Sequence, residues 1–356
     1  MKEKKADSYR DILSQGEAWD SILEDESDIR LLVKKLKKEN IKNIIFVGCG
    51  SSYYLAMSAA FLFKKITGVD SKAVSGSEII FHSEVYMPQG ISDDNKVLVV
   101  PISRSGKSAE TIEAVNTIKD SNNVITMSVT CTKDSKLVEI TDHFIYSKDG
   151  LEKSIIMTRS FTSMLLGIEL FALLWAEEKE MIEDLKKISS IFKENISKWD
   201  EQIKDFAQDC DYKKYEFLAQ GSRFGIANEA MLKMKEMAIM SSEDFHSLEF
   251  RHGPKSIADS DTLITMFIGE NSYEREKKLC RELKSYKADL YLIGQKIDKE
   301  LRELADITFN IESNIELTLL TPLFLVPVQL LAYHIAKKKG IDVESPRNLT
   351  KVVENI

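Results

Sequence analysis

Three serines and a glycine lie close together in the stretch VVPISRSGKSAET, residues 99–111. The hydroxyls of Ser103, Ser105 and Ser108 can each donate a hydrogen bond to an oxyanion, and Gly106 lets backbone amides approach a ligand. The sequence that follows predicts a helix, whose N-terminal end favours negative charge. This pattern suits a phosphate monoester. The alternative is that the same residues only form a turn and cap the helix.

The elements that must position this loop alternate between strands and helices. An apolar run ends in GCGSS at residues 48–52 and is followed by the helical stretch YYLAMSAAFLFKKITG. KVLVVPIS, the serine loop and SAETIEAVNTIKD repeat this order, and VITMSVTC begins a third unit. Strands that are apolar throughout indicate a parallel sheet covered on both faces. The serine loop would then lie at the carboxyl end of a strand, where such sheets bind ligands.

The same order of elements occurs again in the second half of the chain. YEFLAQGSRFGIANEA at 215–230 predicts a strand, a Gly-Ser turn and a helix, and further apolar strands are predicted at 262–269 and 288–294. We therefore predict an α/β protein with two doubly wound parallel-sheet domains of related topology, at 41–200 and 201–356.

Composition and charge limit the possible partners. The 356 residues include 49 lysines and arginines against 57 aspartates and glutamates, which gives a net charge of −8. An acidic protein repels nucleic acid and anionic membranes. Residues 1–40 have the apolar spacing of helices and not the pattern of an export signal. The apolar stretch at 317–335 contains two prolines and His334, which favours a buried helix over a membrane span.

Cysteine and histidine spacing predicts neither disulfides nor a metal site. The four cysteines lie far apart without a CxxC pair, and the five histidines form no HxH, HxxxH or HExxH pattern. Free cysteines favour the reducing cytoplasm. The serine loop contains neither GxxxxGK[ST] nor GxGxxG, so no nucleotide is implied, and we expect no cofactor.

Four stretches of the sequence resemble the sugar isomerase (SIS) domain family. PISRSGKSAET is similar to the family's phosphosugar loop, S-x-S-G-x-[ST]-x-[DE]-T, and GCGSS is similar to its first glycine loop. MLKMKE…LEFRHGPKS at 231–256 and SPRNLTK at 345–351 are similar to motifs of the isomerase half of glucosamine-6-phosphate synthase. The resemblance covers about residues 44–353. It implies two SIS domains and a loop that holds the 6-phosphate of a hexose.

The resemblance also implies three catalytic residues. Glu236 matches the glutamate that transfers a proton between two sugar carbons, and His252 matches the histidine that opens the sugar ring. Lys351 matches the lysine that forms a Schiff base with the sugar or opens it. In relatives the histidine comes from the partner subunit, which implies a homodimer with shared active sites. Without the resemblance, each residue would be interpreted as an ordinary surface side chain.

Ten further residues are implied to bind the substrate. Glu229 and Lys233 lie one helical turn apart and match polar residues around the sugar, although they could equally form a simple helix ion pair. The ten residues are Gly50, Ser51, Ser52, Ser103, Arg104, Ser105, Gly106, Ser108, Glu229 and Lys233.

Three functions remain open on the sequence alone. The first is a phosphosugar isomerase or deaminase that interconverts glucosamine 6-phosphate with fructose 6-phosphate and ammonia through an enediol or enamine. About forty helical residues stand where the synthase has its glutaminase domain, and MTRSFTSMLL at 157–166 is more similar to the deaminase and aldose-ketose isomerase branches. The second is a deglycase of fructosamine-type sugar 6-phosphates. The third is a non-catalytic sugar-phosphate sensor, which the acidic charge and the paired SIS domains argue against.

Overall fold

A computed structural model of the chain describes residues 7–88, 90 and 92–353. Their contacts divide the chain into two compact units. The first unit contains residues 14–189 and 350–353, and the second unit contains residues 7–13 and 190–349. Each unit is built around a five-stranded sheet of its own.

The sheet of the first unit is parallel throughout. Its strands, in the spatial order β2-β1-β3-β4-β5, are β1 (Ile41–Gly48), β2 (Asp70–Ser75), β3 (Lys96–Pro101), β4 (Val124–Thr130) and β5 (His143–Tyr146). The apolar run of β1 is buried on both faces, as its sequence predicts. Strand order reverses between β1 and β3, so the carboxyl ends of these two strands form the crevice in which such sheets bind ligands.

The sheet of the second unit repeats this topology. Its strands, in the order β10-β9-β8-β6-β7, are β6 (Lys214–Ala219), β7 (Ser241–His246), β8 (Thr262–Phe267), β9 (Asp289–Gly294) and β10 (Ile307–Asn310). In both sheets the first strand lies between the second and the third. The predicted fold class, with two doubly wound parallel sheets of related topology, is confirmed.

Helices cover the faces of both sheets. In chain order they are α1 (Asp7–Leu13), α2 (Gln15–Glu24), α3 (Glu26–Leu36), α4 (Ser51–Thr67), α5 (Gly76–Tyr86), α6 (Ala109–Ile118), α7 (Lys136–Glu139), α8 (Arg159–Ala176), α9 (Lys179–Leu185), α10 (Ile188–Asp209), α11 (Arg223–Lys233), α12 (Tyr273–Ser285), α13 (Lys299–Leu304) and α14 (Val326–Lys338). The predicted N-terminal helical segment is confirmed by α1, α2 and α3, whereas residues 1–6 lie outside the described residues.

Contacts, and not chain order, decide which unit each terminal segment joins. In the second unit the ring of Tyr9 on α1 stacks on Tyr333 of α14 at 4.7 Å between centroids. In the first unit Trp19 of α2 donates from Nε1 to the hydroxyl of Thr162 on α8 at 3.0 Å. The predicted ranges 1–40, 41–200 and 201–356 follow chain order, and they therefore differ from these units at both ends of the chain.

Among the residues that the structure describes, two apolar helical segments are long enough to cross a membrane by length and composition, but both are largely buried inside the protein. The segment Leu317–Lys338 is 100% buried, and α8 is 83% buried. The first of these begins as a 3₁₀ helix, Leu317–Phe324, and continues as α14, with Pro327 at a position that helices tolerate. The predicted buried helix at 317–335 is confirmed, and we interpret α8 as a core helix of the same kind.

The four cysteines are free thiols. Cys131, Cys210 and Cys280 are buried. Burial raises the pKa of each of these three thiols to about 12. A thiol that stays protonated is a poor nucleophile, so these three cysteines serve the cores of the two units and not catalysis.

Candidate functional site

The serine loop, residues 103–108, leaves β3 at the crevice of the first sheet. The hydroxyl of Ser103 lies 3.1 Å from that of Ser108 and accepts the N–H of Gly106 at 3.1 Å. Gly106 has a φ of 62°, and a Cβ at this position would collide with the Ser135 side chain. Glycine is therefore required for both conformation and space.

The contacts of Ser108 bear on the alternative that these serines only cap a helix. Ser108 is the N-cap residue of α6, yet its side chain makes no capping hydrogen bond. Its hydroxyl pairs with Ser103 instead. The Ser105 hydroxyl accepts the N–H of Lys107 at 3.2 Å, which leaves its own hydrogen available to donate. This arrangement favours a loop prepared for an oxyanion over a simple cap.

The first glycine loop lies beside the serine loop because β1 and β3 are neighbours. Gly50 has a φ of 54° and directly precedes α4. Ser51 and Ser52, in the first turn of α4, are 7% and 6% exposed. The N-terminal ends of α4 and α6 therefore belong to the same crevice, and both favour an anion there.

Arg104 lies within the serine loop, but its guanidinium is engaged by the protein. Nη1 donates to Glu152 Oε1 at 3.0 Å, and Nη2 donates to the carbonyls of Ile155 at 2.8 Å and Lys351 at 3.1 Å. The side chain is 7% exposed. Glu152 was not predicted from the sequence, because its role depends on a contact with a residue 48 positions away.

The described end of the chain docks on the first unit. Lys351 Nζ donates to the carbonyls of Glu152 at 2.9 Å and Lys153 at 3.0 Å. The carbonyl of Val353 accepts the N–H of Ala109, the first residue of α6, at 3.0 Å. The structure thus brings Lys351 together with the serine loop within one unit.

A buried ion cluster in the second unit contains the other polar candidates. Lys233 Nζ lies 2.9 Å from Glu229 and 2.6 Å from Glu236. The side chains of Lys233 and Glu229 are 0% exposed and that of Glu236 is 16% exposed. Burial favours the neutral amine, but the two carboxylates outweigh it and raise the pKa of Lys233. The pair at 229 and 233 is therefore an ion pair of the protein interior and not of a solvated helix face.

Glu236 lies in a π-helical turn that the sequence did not predict. The turn, Met234–Ala238, continues α11 and ends at Ile239, whose N–H bonds to the Met234 carbonyl. Ile239 has a φ of 53° and a ψ of 48°. This left-handed conformation is strained for a β-branched residue. Strained backbone and π turns concentrate at functional sites, so the turn is a second feature that singles out Glu236.

His252 lies on an exposed turn of the second unit. It follows the 3₁₀ turn Glu249–Arg251 and donates its backbone N–H to the Glu249 carbonyl at 2.9 Å. Gly253, with a φ of 123°, redirects the chain after it. The structure records no hydrogen bond from the His252 imidazole to another described residue, so the ring is available to a ligand or a partner.

In the part of the chain that the structure describes, no three His, Cys, Asp or Glu side chains are grouped so that they could hold a metal ion.

The candidate site residues fall into two sets. The first unit contains the two loops and Lys351, and the second contains the Glu229–Lys233–Glu236 cluster and His252.

Comparison with known proteins defines the class. The family model of the SIS domain matches residues 35–174 and, a second time, residues 211–337. The chain therefore belongs to the SIS domain family, as its motifs predict.

Curated relatives of this chain include aminotransferases named for glutamine and fructose 6-phosphate. The chain is 28% identical over 324 residues to the glutamine–fructose-6-phosphate aminotransferase (isomerizing) of Haemophilus ducreyi. The aligned region covers 88% of this chain and 52% of that protein. The chain thus spans about half the length of the curated relatives it matches.

Solved structures that are similar over nearly the whole chain include the following two. The C-terminal domain of glucosamine-fructose-6-phosphate aminotransferase from Francisella tularensis superposes with a TM-score of 0.84 at 25% identity, covering 96% of this chain and 99% of that one. The glucosamine-6-phosphate deaminase of Thermotoga maritima superposes with a TM-score of 0.77 at 25% identity, and the match covers 98% of this chain and 99% of that one.

Proposed function

We propose that the protein is a phosphosugar isomerase or deaminase that interconverts glucosamine 6-phosphate with fructose 6-phosphate and ammonia. The buried Lys233, which holds Glu229 and Glu236 at 2.9 and 2.6 Å, carries this proposal. An ordinary ion pair on a helix surface would be exposed to solvent. A base that exchanges protons with carbon, by contrast, needs a fixed and partly desolvated carboxylate. Similarity to an aminotransferase and a deaminase that are named for these sugar phosphates supports the choice of substrate.

The serine loop supplies phosphate binding in this proposal. The hydroxyls of Ser103, Ser105 and Ser108 and the first amides of α6 donate to the 6-phosphate. Ser51 and Ser52 contribute at the neighbouring α4. No lysine or arginine has to neutralise the phosphate, because helix N-termini and hydroxyls favour the anion themselves.

Glu236 supplies the proton transfer. In the open-chain amino sugar it takes the proton from C2 and returns it to C1, while one proton of the amine moves to O1. The C1 aldehyde thereby becomes an alcohol, and the C2 amine becomes an imine. Water then releases ammonia and leaves fructose 6-phosphate. Lys233 stays protonated throughout and limits the cost of a second carboxylate beside Glu236. His252 and Lys351 take the ring-opening and carbonyl-binding roles that the family resemblance implies.

We also propose a cytoplasmic homodimer in which His252 serves the partner's site. The exposed imidazole on a glycine-bounded turn supports this assignment. Free, buried thiols suit a reducing compartment.

Proton NMR in D2O tests the proposal directly. The protein is incubated with glucosamine 6-phosphate and, separately, with fructose 6-phosphate with and without ammonium. We expect enzyme-dependent exchange at C1 or C2, together with interconversion. Glu236→Gln should abolish exchange and keep phosphosugar binding, whereas Glu303→Gln, an exposed glutamate of α13, should leave both unchanged. Exchange with neither sugar contradicts the proposal, and fructosamine 6-phosphates then test the deglycase alternative.

A further inference from the structure

We propose that Arg104 and Glu152 form a buried latch that positions Lys351, so that Arg104 is a positioning residue and not a phosphate ligand. The inference rests on the proposed function for the role of Lys351. The latch itself consists of contacts within the first unit, between the serine loop, the segment 152–155 and the described end of the chain.

Arg104 holds the main chain of the tail. Its guanidinium donates to the carbonyl of Lys351 at 3.1 Å while it donates to Glu152 at 3.0 Å and to the carbonyl of Ile155 at 2.8 Å. A planar guanidinium presents several donors in a fixed fork, so one side chain can fix three segments at once. A lysine at this position could not make the same set of bonds.

Glu152 holds the other side of the latch. Its side chain is 0% exposed, and Oε2 accepts the N–H and the hydroxyl of Thr158 at 2.9 and 2.7 Å. Oε1 also accepts the hydroxyl of Ser160 in the first turn of α8. The carboxylate is therefore anchored to the start of a buried helix. The backbone carbonyl of the same residue receives the Lys351 amine at 2.9 Å.

Arg104 belongs both to the latch and to the serine loop. Arg104 stands between Ser103 and Ser105, and Ala109, at the other end of the loop, donates to the carbonyl of Val353 at 3.0 Å. The tail is thus bonded at both ends of the serine loop. Direct phosphate binding by Arg104 would require its guanidinium to leave Glu152 as an uncompensated buried carboxylate, which is costly. The geometry therefore favours a positioning role.

Trypsin cleavage after Lys351 measures the latch without any sugar. Trypsin must reach the Lys351 side chain and carbonyl, and the latch holds both. We expect Arg104→Met to release residues 352–356 at least about tenfold faster than the wild type, because cleavage follows the population of the open tail. Lys107→Met, at an exposed position in the same loop, is the matched control and should cleave at the wild-type rate. Arg104→Lys should also cleave faster, and it serves if Arg104→Met does not fold.

Steady-state kinetics separates positioning from phosphate binding. In Arg104→Lys we expect kcat to fall by about tenfold or more while KM for the sugar phosphate changes less than about twofold. A raised KM with unchanged kcat would identify Arg104 as a phosphate ligand and overturn the latch, as would wild-type cleavage rates in both Arg104 variants. Because proteolysis uses no substrate, faster cleavage in a protein that turns over no hexose phosphate would support the latch and refute only the proposed function.

Discussion

Replacing Lys233 by methionine tests the charge arrangement around Glu236. At an effective dielectric constant of about 20, ion pairs at 2.6 and 2.9 Å each attract by about 6 kcal/mol. The desolvation of three charges offsets much of this attraction. Removing the Lys233 cation alone leaves the Glu229 carboxylate buried without a counter-charge. The loss of one partner from a buried ion pair costs about 3–5 kcal/mol of stability. We therefore expect Lys233→Met to lower the free energy of unfolding by that amount at pH 8.

The pH dependence of this loss follows from the Glu229 carboxylate. Without Lys233, burial raises the pKa of Glu229 in the folded state above its value in the unfolded chain. A raised folded-state pKa gives stability that is present at low pH and lost as the pH rises. The deficit of Lys233→Met should therefore shrink on going from pH 8 to pH 5, by up to about 1.4 kcal/mol per pH unit.

Urea unfolding followed by circular dichroism at pH 8, 6.5 and 5 measures both effects. The double variant Glu229→Gln/Lys233→Met removes the buried charge that the single variant leaves, so it should recover most of the lost stability. A deficit below about 1 kcal/mol, or one that does not change with pH, would refute the view that this cluster is a buried, charged unit.

Three further predictions concern a buried acid, a strained residue and the shared site. Glu169 on α8 is 0% exposed and has no hydrogen-bond partner among the described residues, and burial raises its pKa. The wild type therefore loses stability as the pH rises from 5 to 7, and Glu169→Gln should gain stability relative to it by up to about 1.4 kcal/mol per pH unit. A difference in urea unfolding that does not change with pH contradicts this. Ile239→Gly should raise the unfolding free energy by about 1 kcal/mol by relieving the left-handed backbone, with a smaller gain for Ile239→Ala. Mixing inactive Glu236→Gln and His252→Asn subunits should restore about a quarter of wild-type activity if the sites are shared, and none if each subunit is self-sufficient.

The sequence predicted the elements of the fold because their signals are local. The apolar runs of β1, β3 and β6 identify buried parallel strands, and the glycines after them mark the turns. Repetition of this order predicted a second sheet of the same topology. Phosphate binding at the serine loop was also suggested by local composition, since three hydroxyls and a glycine precede a helix.

Long-range features of the site were not predictable in this way. Glu229 and Lys233 are spaced like a solvated helix pair, and only tertiary packing shows that both are buried. The π turn at Glu236 has no glycine or proline to mark it. Arg104 was expected to bind substrate because of its neighbours in sequence, whereas its contacts are made with residues 48 to 247 positions away.

The two repeats have diverged at the same place in the fold. At the crevice of the first sheet the loops are rich in serine. At the corresponding crevice of the second sheet, Glu276 is fully buried and accepts the N–H of Gly269 at 2.8 Å and the hydroxyl of Ser247 at 3.1 Å. Arg223, the first residue of α11, packs against Gly269 and lies 5.7 Å from the ring of Phe324.

The second crevice is thus filled by the protein's own charged side chains. Two of the polar candidates of the second unit lie at the other end of α11. Lys233 is its last residue, and Glu236 lies in the π-helical turn that follows it. In the proposed function, one loop suffices to bind the single phosphate of the sugar. Under the proposed function, the second copy is then free to fill that crevice with packed charged side chains and to carry the proton-transfer group at the opposite end of the same helix.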